Sequence, residues 1–186
     1  MVLKELRELA KQNPEAYNPD MALTLNTLGC LLRVANDFKQ AQSHFEEALE
    51  IYRKLTKLNP EAYNPYVAMS LNNLGCLLRV TNDFKQAQAH FEEALEIYRE
   101  LAKQNPEAYK PDVATTLNNL GNLLRDTNDL KQAQAYFEEA LEIYRELAKQ
   151  NPEVYKPYVA LTLNNSGILL YDTNDLSKPK LTTRRR

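Results

Sequence analysis

The stretch Leu25-Asn-Thr-Leu-Gly-Cys-Leu-Leu-Arg33 occurs four times in nearly the same form. The spacing is 46 residues each time, and the later copies begin at Leu71, Leu117 and Leu163. Residues 66–111 and 112–157 differ at only eight positions. A period of this length is typical of a solenoid, in which each repeat buries its apolar face against its neighbours. The sequence therefore predicts one continuous array, and solenoids usually present an extended surface to a partner.

Each repeat is predicted to contain two helices. The first, helix A, is expected at about 20–34, because its apolar residues recur at i, i+3, i+4 and i+7. The second, helix B, is expected at about 38–58, with Phe45 and Tyr52 in its buried stripe. A proline precedes each helix A and suits the first helical position; these are Pro19, Pro65, Pro111 and Pro157. The predicted fold is all-α, a right-handed α-solenoid of antiparallel helix pairs.

The connections carry clear turn signals. Asn36 can adopt the left-handed conformation that ends helix A. Asp37 then caps helix B, and Gln40 completes a capping box. The same Asn-Asp pair occurs in all four copies. Helix B is expected to end at Asn59-Pro60, followed by a short loop stiffened by proline. The loop tyrosines are expected to fold back onto the preceding helix B; they are Tyr17, Tyr63, Tyr109 and Tyr155.

All four glycines occupy one position inside helix A, namely Gly29, Gly75, Gly121 and Gly167. A glycine within a helix costs about 1 kcal/mol relative to alanine. We therefore expect helix B to cross helix A at this position with no room for a Cβ atom. Ala41 and Ala48 are the residues expected to face it.

The repeat pattern sets the predicted organisation. Residues 2–12 match the last part of helix B, as Glu8-Leu-Ala-Lys-Gln-Asn matches Glu100-Leu-Ala-Lys-Gln-Asn. Pro179 would interrupt a fourth helix B beyond its first turn, so no such helix is expected. The array should span residues 1–172 and be followed by a disordered tail at 173–186. Its parts are a half repeat at 1–18, full repeats at 19–64, 65–110 and 111–156, and a half repeat at 157–172.

Charge and composition exclude several partners. The net charge is −2 at pH 7, so the body of the chain has no basic footprint for nucleic acid. The run Arg184-Arg185-Arg186 is interpreted as a solubilising or vector-derived end. No stretch is apolar for long enough to span a bilayer, and the charged N-terminal residues do not resemble a signal peptide. The sequence predicts a cytoplasmic protein that binds neither nucleic acid nor a membrane.

The residues that could carry chemistry do not form a site. Cys30 and Cys76 lie on equivalent helices whose axes should be about 8–10 Å apart, whereas a disulfide needs Cα atoms within about 7 Å. Both are expected to be reduced thiols. His44 and His90 each precede a glutamate by three residues, a spacing found in metal-binding bundles, but further ligands are missing. The sequence therefore predicts no metal, no cofactor and no enzymatic activity.

Six positions match the signature of the tetratricopeptide repeat: Leu28, Gly29, Leu32, Ala41, Phe45 and Ala48. The phrase Pro111-Asp-Val-Ala-Thr-Thr-Leu-Asn-Asn-Leu120 resembles the kinesin light chain subtype of that family more narrowly. The common period of the family is 34 residues, so the repeat here is longer. No coiled-coil segment for a motor is present, and motor function is not carried over. The resemblance implies a protein-recognition scaffold whose helices A line a concave groove that holds an extended peptide.

The helix A residues that point away from helix B would line that groove. Asparagines could hydrogen-bond a peptide backbone of any sequence; they are Asn26, Asn72, Asn73, Asn118, Asn119, Asn122, Asn164 and Asn165. Arginines could favour acidic side chains; they are Arg33, Arg79 and Arg125. Leu23 and Met69 could receive an apolar residue. The alternative is that the asparagines bond one another and merely repeat a duplicated module. The lysines of the family's carboxylate clamp are absent from these positions.

Two further interpretations remain open. The array could be a structural module or the sensor arm of a larger protein. Alternatively, it could associate weakly with itself, head to tail. The fourth helix A would expose Leu163, Ile168 and Leu170, while residues 2–12 carry Leu3, Leu6 and Leu9 on a helix B segment without its own helix A. Each face could cover the other in a second copy, or both could simply fray.

Overall fold

The computed structural model describes the backbone of residues 2–177 and the side chains of residues 3–171. The described residues form helices and contain no strand, which confirms the all-α prediction. The helices are α1 (Val2–Gln12), α2 (Pro14–Val34), α3 (Phe38–Thr56), α4 (Pro60–Val80), α5 (Phe84–Gln104), α6 (Pro106–Asp126), α7 (Leu130–Gln150) and α8 (Pro152–Ser177). The even-numbered helices are helix A of successive repeats, and α3, α5 and α7 are helix B.

The chain divides into two compact units, residues 1–116 and 117–186. In the first unit, α1 packs on α2, and each following helix packs on the next as far as α5. In the second unit, α7 packs on α8 and also on the last part of α6. Helix A and helix B of one repeat therefore form antiparallel hairpins, as the turn signals predict.

Each helix A begins earlier than the sequence analysis predicts. The helix around Leu25 starts at Pro14, not near residue 20, and Pro19 lies inside it. The side-chain Oδ1 of Asn13 accepts a hydrogen bond from the Ala16 N–H at 3.3 Å, which is the usual N-cap arrangement. Pro14 follows the cap at the first helical position, where the missing N–H is not needed. The expected proline-stiffened loops are therefore the first turns of the A helices.

The turn between helix A and helix B forms as predicted. Asn36 has a φ of 62°, and the Asp37 N–H donates to the Leu32 carbonyl at 2.9 Å, which is the long bond of a Schellman motif. Asp37 caps helix B by accepting from the Gln40 N–H at 3.2 Å. The Gln40 side chain donates to the Asp37 carboxylate and not to the backbone, so this part of the capping box differs from the expected one. Asn82 and Asn128 repeat the turn with φ of 64°.

The fourth Asn-Asp pair does not form this turn. Helix α8 continues through residues 174 and 175 to Ser177, so the first part of the predicted disordered tail, 173–177, is helical. In the other repeats, a helix B packs back on helix A directly after the turn. In the described part of α8, residues 174 and 175 instead continue the helix. Residues 178–186, which include Pro179, lie outside the described residues.

The glycine in helix A faces an aromatic ring, not the alanines that the sequence analysis proposed. A Cβ atom added to Gly29 would lie 2.6 Å from a ring carbon of Phe45. Gly75 meets Phe91 and Gly121 meets Phe137 at the same distance. Ala41 and Ala48 are fully buried nearby but are not the closest atoms. The glycine therefore lets a buried phenylalanine ring lie close to the helix A backbone, in space that a side chain would occupy.

Helix α1 occupies the position of a helix B, as residues 2–12 predict. The Arg7 guanidinium pairs with the Glu47 carboxylate at 2.5 Å. One period later, Arg53 pairs with Glu93 at 2.6 Å. The two pairs link equivalent residues on consecutive B-type helices, so α1 stands in the same register against α3 as α3 does against α5.

Candidate functional site

Asn26 is buried between two A helices and does not line an open groove, unlike the expectation from the sequence. Asn26 is only 3% exposed, and its Nδ2 donates to Ser70 Oγ on the next helix A at 2.7 Å. The Ser70 hydroxyl in turn donates to the Tyr66 carbonyl at 2.9 Å. Because the Asn26 side chain is buried and bonded to a neighbouring helix, it is not accessible to a peptide backbone. Asn26 therefore ties two A helices together.

The second unit repeats this tie. Asn118 is 7% exposed, and its Nδ2 donates to Thr162 Oγ1 at 2.7 Å. Thr162 Oγ1 donates to the Tyr158 carbonyl at 2.8 Å. The alternative in the sequence analysis, that asparagines bond within the array, thus applies to Asn26 and Asn118. The equivalent Asn164 on α8 is exposed.

The remaining asparagines are more accessible but not uniformly so. Asn73 is partly buried and its Nδ2 donates to Asn26 Oδ1 at 3.4 Å. Asn122 is partly buried and its Nδ2 donates to the Asn118 carbonyl in its own helix at 3.0 Å. The others that the sequence analysis proposed are also partly buried; they are Asn72, Asn119 and Asn165. The structure therefore does not present one uninterrupted column of open amides.

Arginine and cysteine side chains come together near the last turns of α2 and α4. Burial raises the pKa of the Cys76 thiol, while the positive charges of Arg33 and Arg79 act in the opposite direction. Burial likewise raises the pKa of Cys30, and Arg33 again opposes it. Both thiols are unpaired and stay protonated at neutral pH. The guanidinium groups of Arg33 and Arg79 therefore both lie near Cys76. In the second unit, Arg125 is partly buried, and its Nη2 lies 3.6 Å from Asp126 Oδ1.

The opposite half of the same A helices holds a cavity of about 320 Å³, which we call the tyrosine pocket. Its wall on α2 includes Asp20 and Leu23, and its wall on α4 includes Tyr63 and Tyr66, with Tyr52 of α3 behind them. Leu23 is 48% exposed and Tyr66 41% exposed. Leu23 was predicted as a groove residue. Met69, its equivalent on α4, is partly buried and does not line this cavity.

Aromatic rings give the tyrosine pocket its shape. Tyr52 and Tyr66 stack with ring centroids 5.1 Å apart and an interplanar angle of 18°. Tyr63 is tilted by 46° against Tyr66 at 6.4 Å. Burial raises the pKa of Tyr52 far above its usual range, so its hydroxyl stays neutral. The pocket therefore offers apolar surface, aromatic faces and the single carboxylate of Asp20.

The sequence analysis missed the role of Tyr66, although a signal was present. The position alternates along the repeats as Asp20, Tyr66, Asp112 and Tyr158. A tyrosine there stacks on the preceding helix B, as Tyr158 does on Tyr144 at 5.2 Å. Asp112 instead is a half-buried carboxylate whose pKa burial raises. Burial, and after it the charge of Asp112, raises the pKa of Tyr98. The near-identical repeats thus differ at a position that lies beside the tyrosine pocket.

The described residues contain no group of three or more His, Cys, Asp or Glu side chains that could hold a metal ion. Burial lowers the pKa of His90, and Glu93 beside it is paired with Arg53. Across the part of the chain that the structure covers, no helix has both the length and the apolar character needed to cross a membrane.

Comparisons with known proteins agree with this architecture. A family model described as tetratricopeptide repeat matches residues 1–54 and 99–146, and a second with the same description matches residues 67–107. The crystal structure of BtubC (BKLC) from P. vanneervenii is similar over 93% of this chain and 80% of that chain, with 22% identity and a TM-score of 0.57. The N-terminal domain of stress-induced protein-1 (STI-1) from C. elegans is similar over 73% of this chain and 95% of that chain, with 25% identity and a TM-score of 0.53. Among curated proteins, none matches the sequence.

Proposed function

Since this chain belongs to the tetratricopeptide repeat family, we propose that it is a scaffold that holds an extended segment of a partner protein along its A helices. Repeats of this family are in general protein-interaction modules and not enzymes. The observation that carries the proposal is the tyrosine pocket between α2 and α4. A concave site with mostly apolar walls and a few polar groups is the usual form of a binding site.

The two halves of the groove differ in charge, which suggests the chemistry of the ligand. Asp20 lies in the tyrosine pocket, and Arg33 lies thirteen residues further along the same helix. At a rise of about 1.5 Å per residue, the two are separated by roughly 20 Å. An extended peptide covers that distance with about six residues. A basic side chain at one end and an acidic side chain at the other would match the groove.

The pocket itself favours a long cationic side chain. A lysine or arginine could place its aliphatic stem on Leu23 and its charge over the face of Tyr66, within reach of Asp20. Arg33 and Arg79 would hold the acidic residue. Asn26 and Asn118 contribute by fixing the spacing of the A helices, because both side chains are buried and donate to the next helix A.

Selection from a library of random nonapeptides displayed on phage tests this proposal on the full chain. We expect enriched sequences to pair a basic with an acidic residue about six positions apart. Leu23→Asp should weaken a selected peptide at least tenfold in fluorescence anisotropy. Asp20→Lys should remove the preference for the basic residue while apolar contacts persist.

Leu58→Asp provides the matched control, because Leu58 is 73% exposed and does not line the pocket. It should leave the affinity unchanged. If selection yields no shared pattern, or if Leu23→Asp binds a selected peptide as well as the parent chain, the groove is not the binding site.

A further inference from the structure

Three apolar faces in the described residues lack the neighbour that their equivalents have. The first is on α8, where Leu163 is 45% exposed although Leu25, Leu71 and Leu117 are fully buried. Gly167 on the same face has nothing within 4 Å, whereas each equivalent glycine meets a phenylalanine ring. This is the face that a helix B covers in the other repeats.

The second and third faces lie together on α1 and α2. Leu9 of α1 is 37% exposed, while the equivalent Leu55 is 5% exposed. Leu31 of α2 is 61% exposed, while the equivalent Leu77 on α4 is fully buried. Because α2 packs on α4, Leu31 occupies the side on which a preceding helix A would lie. The exposed faces of α1 and α2 therefore form one site, which has the place of a helix A against both of them.

A polar pair identifies what fits there. In both described ties, an asparagine on one helix A donates to a hydroxyl on the next: Asn26 to Ser70 and Asn118 to Thr162. The fourth asparagine, Asn164, is exposed on α8. The first hydroxyl of the series, Thr24, is on α2 and is partly exposed. Asn164 has the donor and Thr24 the acceptor that complete the pattern.

We propose that α8 of one copy of this chain docks onto the α1–α2 face of a second copy. In the docked pair, α8 is the missing helix A: it covers Leu31, and its Asn164 amide donates to Thr24 of the partner copy. Helix α1 of the partner then covers Leu163 as a helix B would. Helix α1 corresponds only to the second half of helix B and has no equivalent of the phenylalanine that fills the space beside the other glycines. The space beside Gly167 therefore stays empty, and the contact is weak.

The contact joins α8 of one copy to the α1–α2 face of another. An assembly of any number of copies therefore still exposes one α8 and one α1–α2 face. Association is therefore heterologous and continues beyond the dimer. This arrangement is independent of peptide binding, because the tyrosine pocket lies between α2 and α4 and not on the docking faces.

Sedimentation velocity over a hundredfold range of concentration tests the proposal on the full chain. The parent chain should shift to larger species with concentration. Leu31→Asp and Leu163→Asp should each sediment as monomers, and both residues are exposed enough for the monomer to keep its helicity. Leu58→Asp, on an exposed leucine between α3 and α4, should associate as the parent does.

Mixing the two variants separates this contact from others. Leu31→Asp keeps an intact α8, and Leu163→Asp keeps an intact α1–α2 face, so the mixture should form a dimer and nothing larger. Thr24→Val and Asn164→Ala should each weaken association about fivefold, with little further loss in combination. A parent chain that is monomeric throughout, or a Leu31→Asp variant that still associates alone, would overturn the proposal.

Discussion

Helices α4 and α8 have closely similar sequences but opposite surroundings. Leu71 of α4 is fully buried, and Gly75 holds the ring of Phe91. On α8, Leu163 is 45% exposed and Gly167 meets nothing within 4 Å. The apolar pattern is thus a property of the duplicated module, while burial depends on whether a helix B packs on helix A. In a repeat protein, equal residues contribute unequal stability because neighbouring helices supply the core.

Truncating the same leucine in both helices should give the largest difference. Leu71→Ala removes a fully buried side chain and should lower the free energy of unfolding by about 2–5 kcal/mol. Leu163→Ala removes one that is largely in water and should cost less than about 1 kcal/mol. Urea denaturation followed by circular dichroism measures both. Equal losses would mean that α8 is covered in solution.

The glycines should respond with opposite signs. In Gly75→Ala, the new methyl group would lie 2.6 Å from the Phe91 ring, and overpacking of this kind costs about 1–3 kcal/mol. In Gly167→Ala nothing opposes the methyl group, and the helix should gain up to about 1 kcal/mol. Thermal unfolding of the two variants against the parent chain gives the comparison. Stabilisation by both substitutions would rule out the ring contact.

Asp112 and Tyr66 provide a third contrast between repeats. Asp112→Tyr should restore the stack seen at Tyr52–Tyr66 against Tyr98 and stabilise the chain by about 0.5–1.5 kcal/mol. Burial raises the pKa of Asp112 above its ordinary 3.8, so the folded chain binds this proton more readily than the unfolded chain. Stability from Asp112 is therefore present below pH 3.8 and is lost as the pH rises through the folded pKa.

The benefit of Asp112→Tyr should consequently be greater at pH 7 than at pH 3.5. Asp20→Tyr is the matched control. Asp20 is exposed, and the position that holds Tyr52 or Tyr98 in the later repeats holds Leu6 on α1, so a tyrosine at 20 has no ring to stack on. A gain from Asp112→Tyr that does not change with pH would assign it to the stack alone.

The smallest effect is expected from the pairs between B-type helices. Arg53 and Glu93 are 49% and 43% exposed, and ion pairs of this kind contribute about 0–1 kcal/mol. Arg53→Ala should therefore destabilise only slightly, and 1 M salt should remove most of the difference. Lys54→Ala, which breaks a pair within one helix, serves as the control. A loss above 2 kcal/mol would give these pairs a structural role beyond their charge.

The repeat period, the helix pairs and the turn at Asn36 could be predicted from the sequence because they depend on local signals that recur four times. The start of helix A at Pro14 was missed, since Pro19 gave a competing start signal and the Asn13 cap was not weighed against it. The contact of Gly29 with Phe45 was not predicted, because Phe45 and the alanines at 41 and 48 all lie on the buried stripe of helix B.

The candidate site was harder to predict for a related reason. Every position of a duplicated module repeats, so periodicity could not separate Asn26, which is buried against Ser70, from residues that stay open. Leu23 and Arg33 were predicted from the side of the helix on which they lie, and Leu23 lines the tyrosine pocket. Tyr66 was not predicted, because its position in the pocket includes a stack on Tyr52 of the preceding helix B, which is a contact between repeats.

Amide hydrogen exchange of the monomer at low concentration most directly tests the claim that burial follows the presence of a helix B. The account predicts that amides of residues 163–170 on α8 exchange at least tenfold faster than those of residues 71–78 on α4, because an uncovered helix opens locally at less cost. Equal protection of the two segments would contradict it.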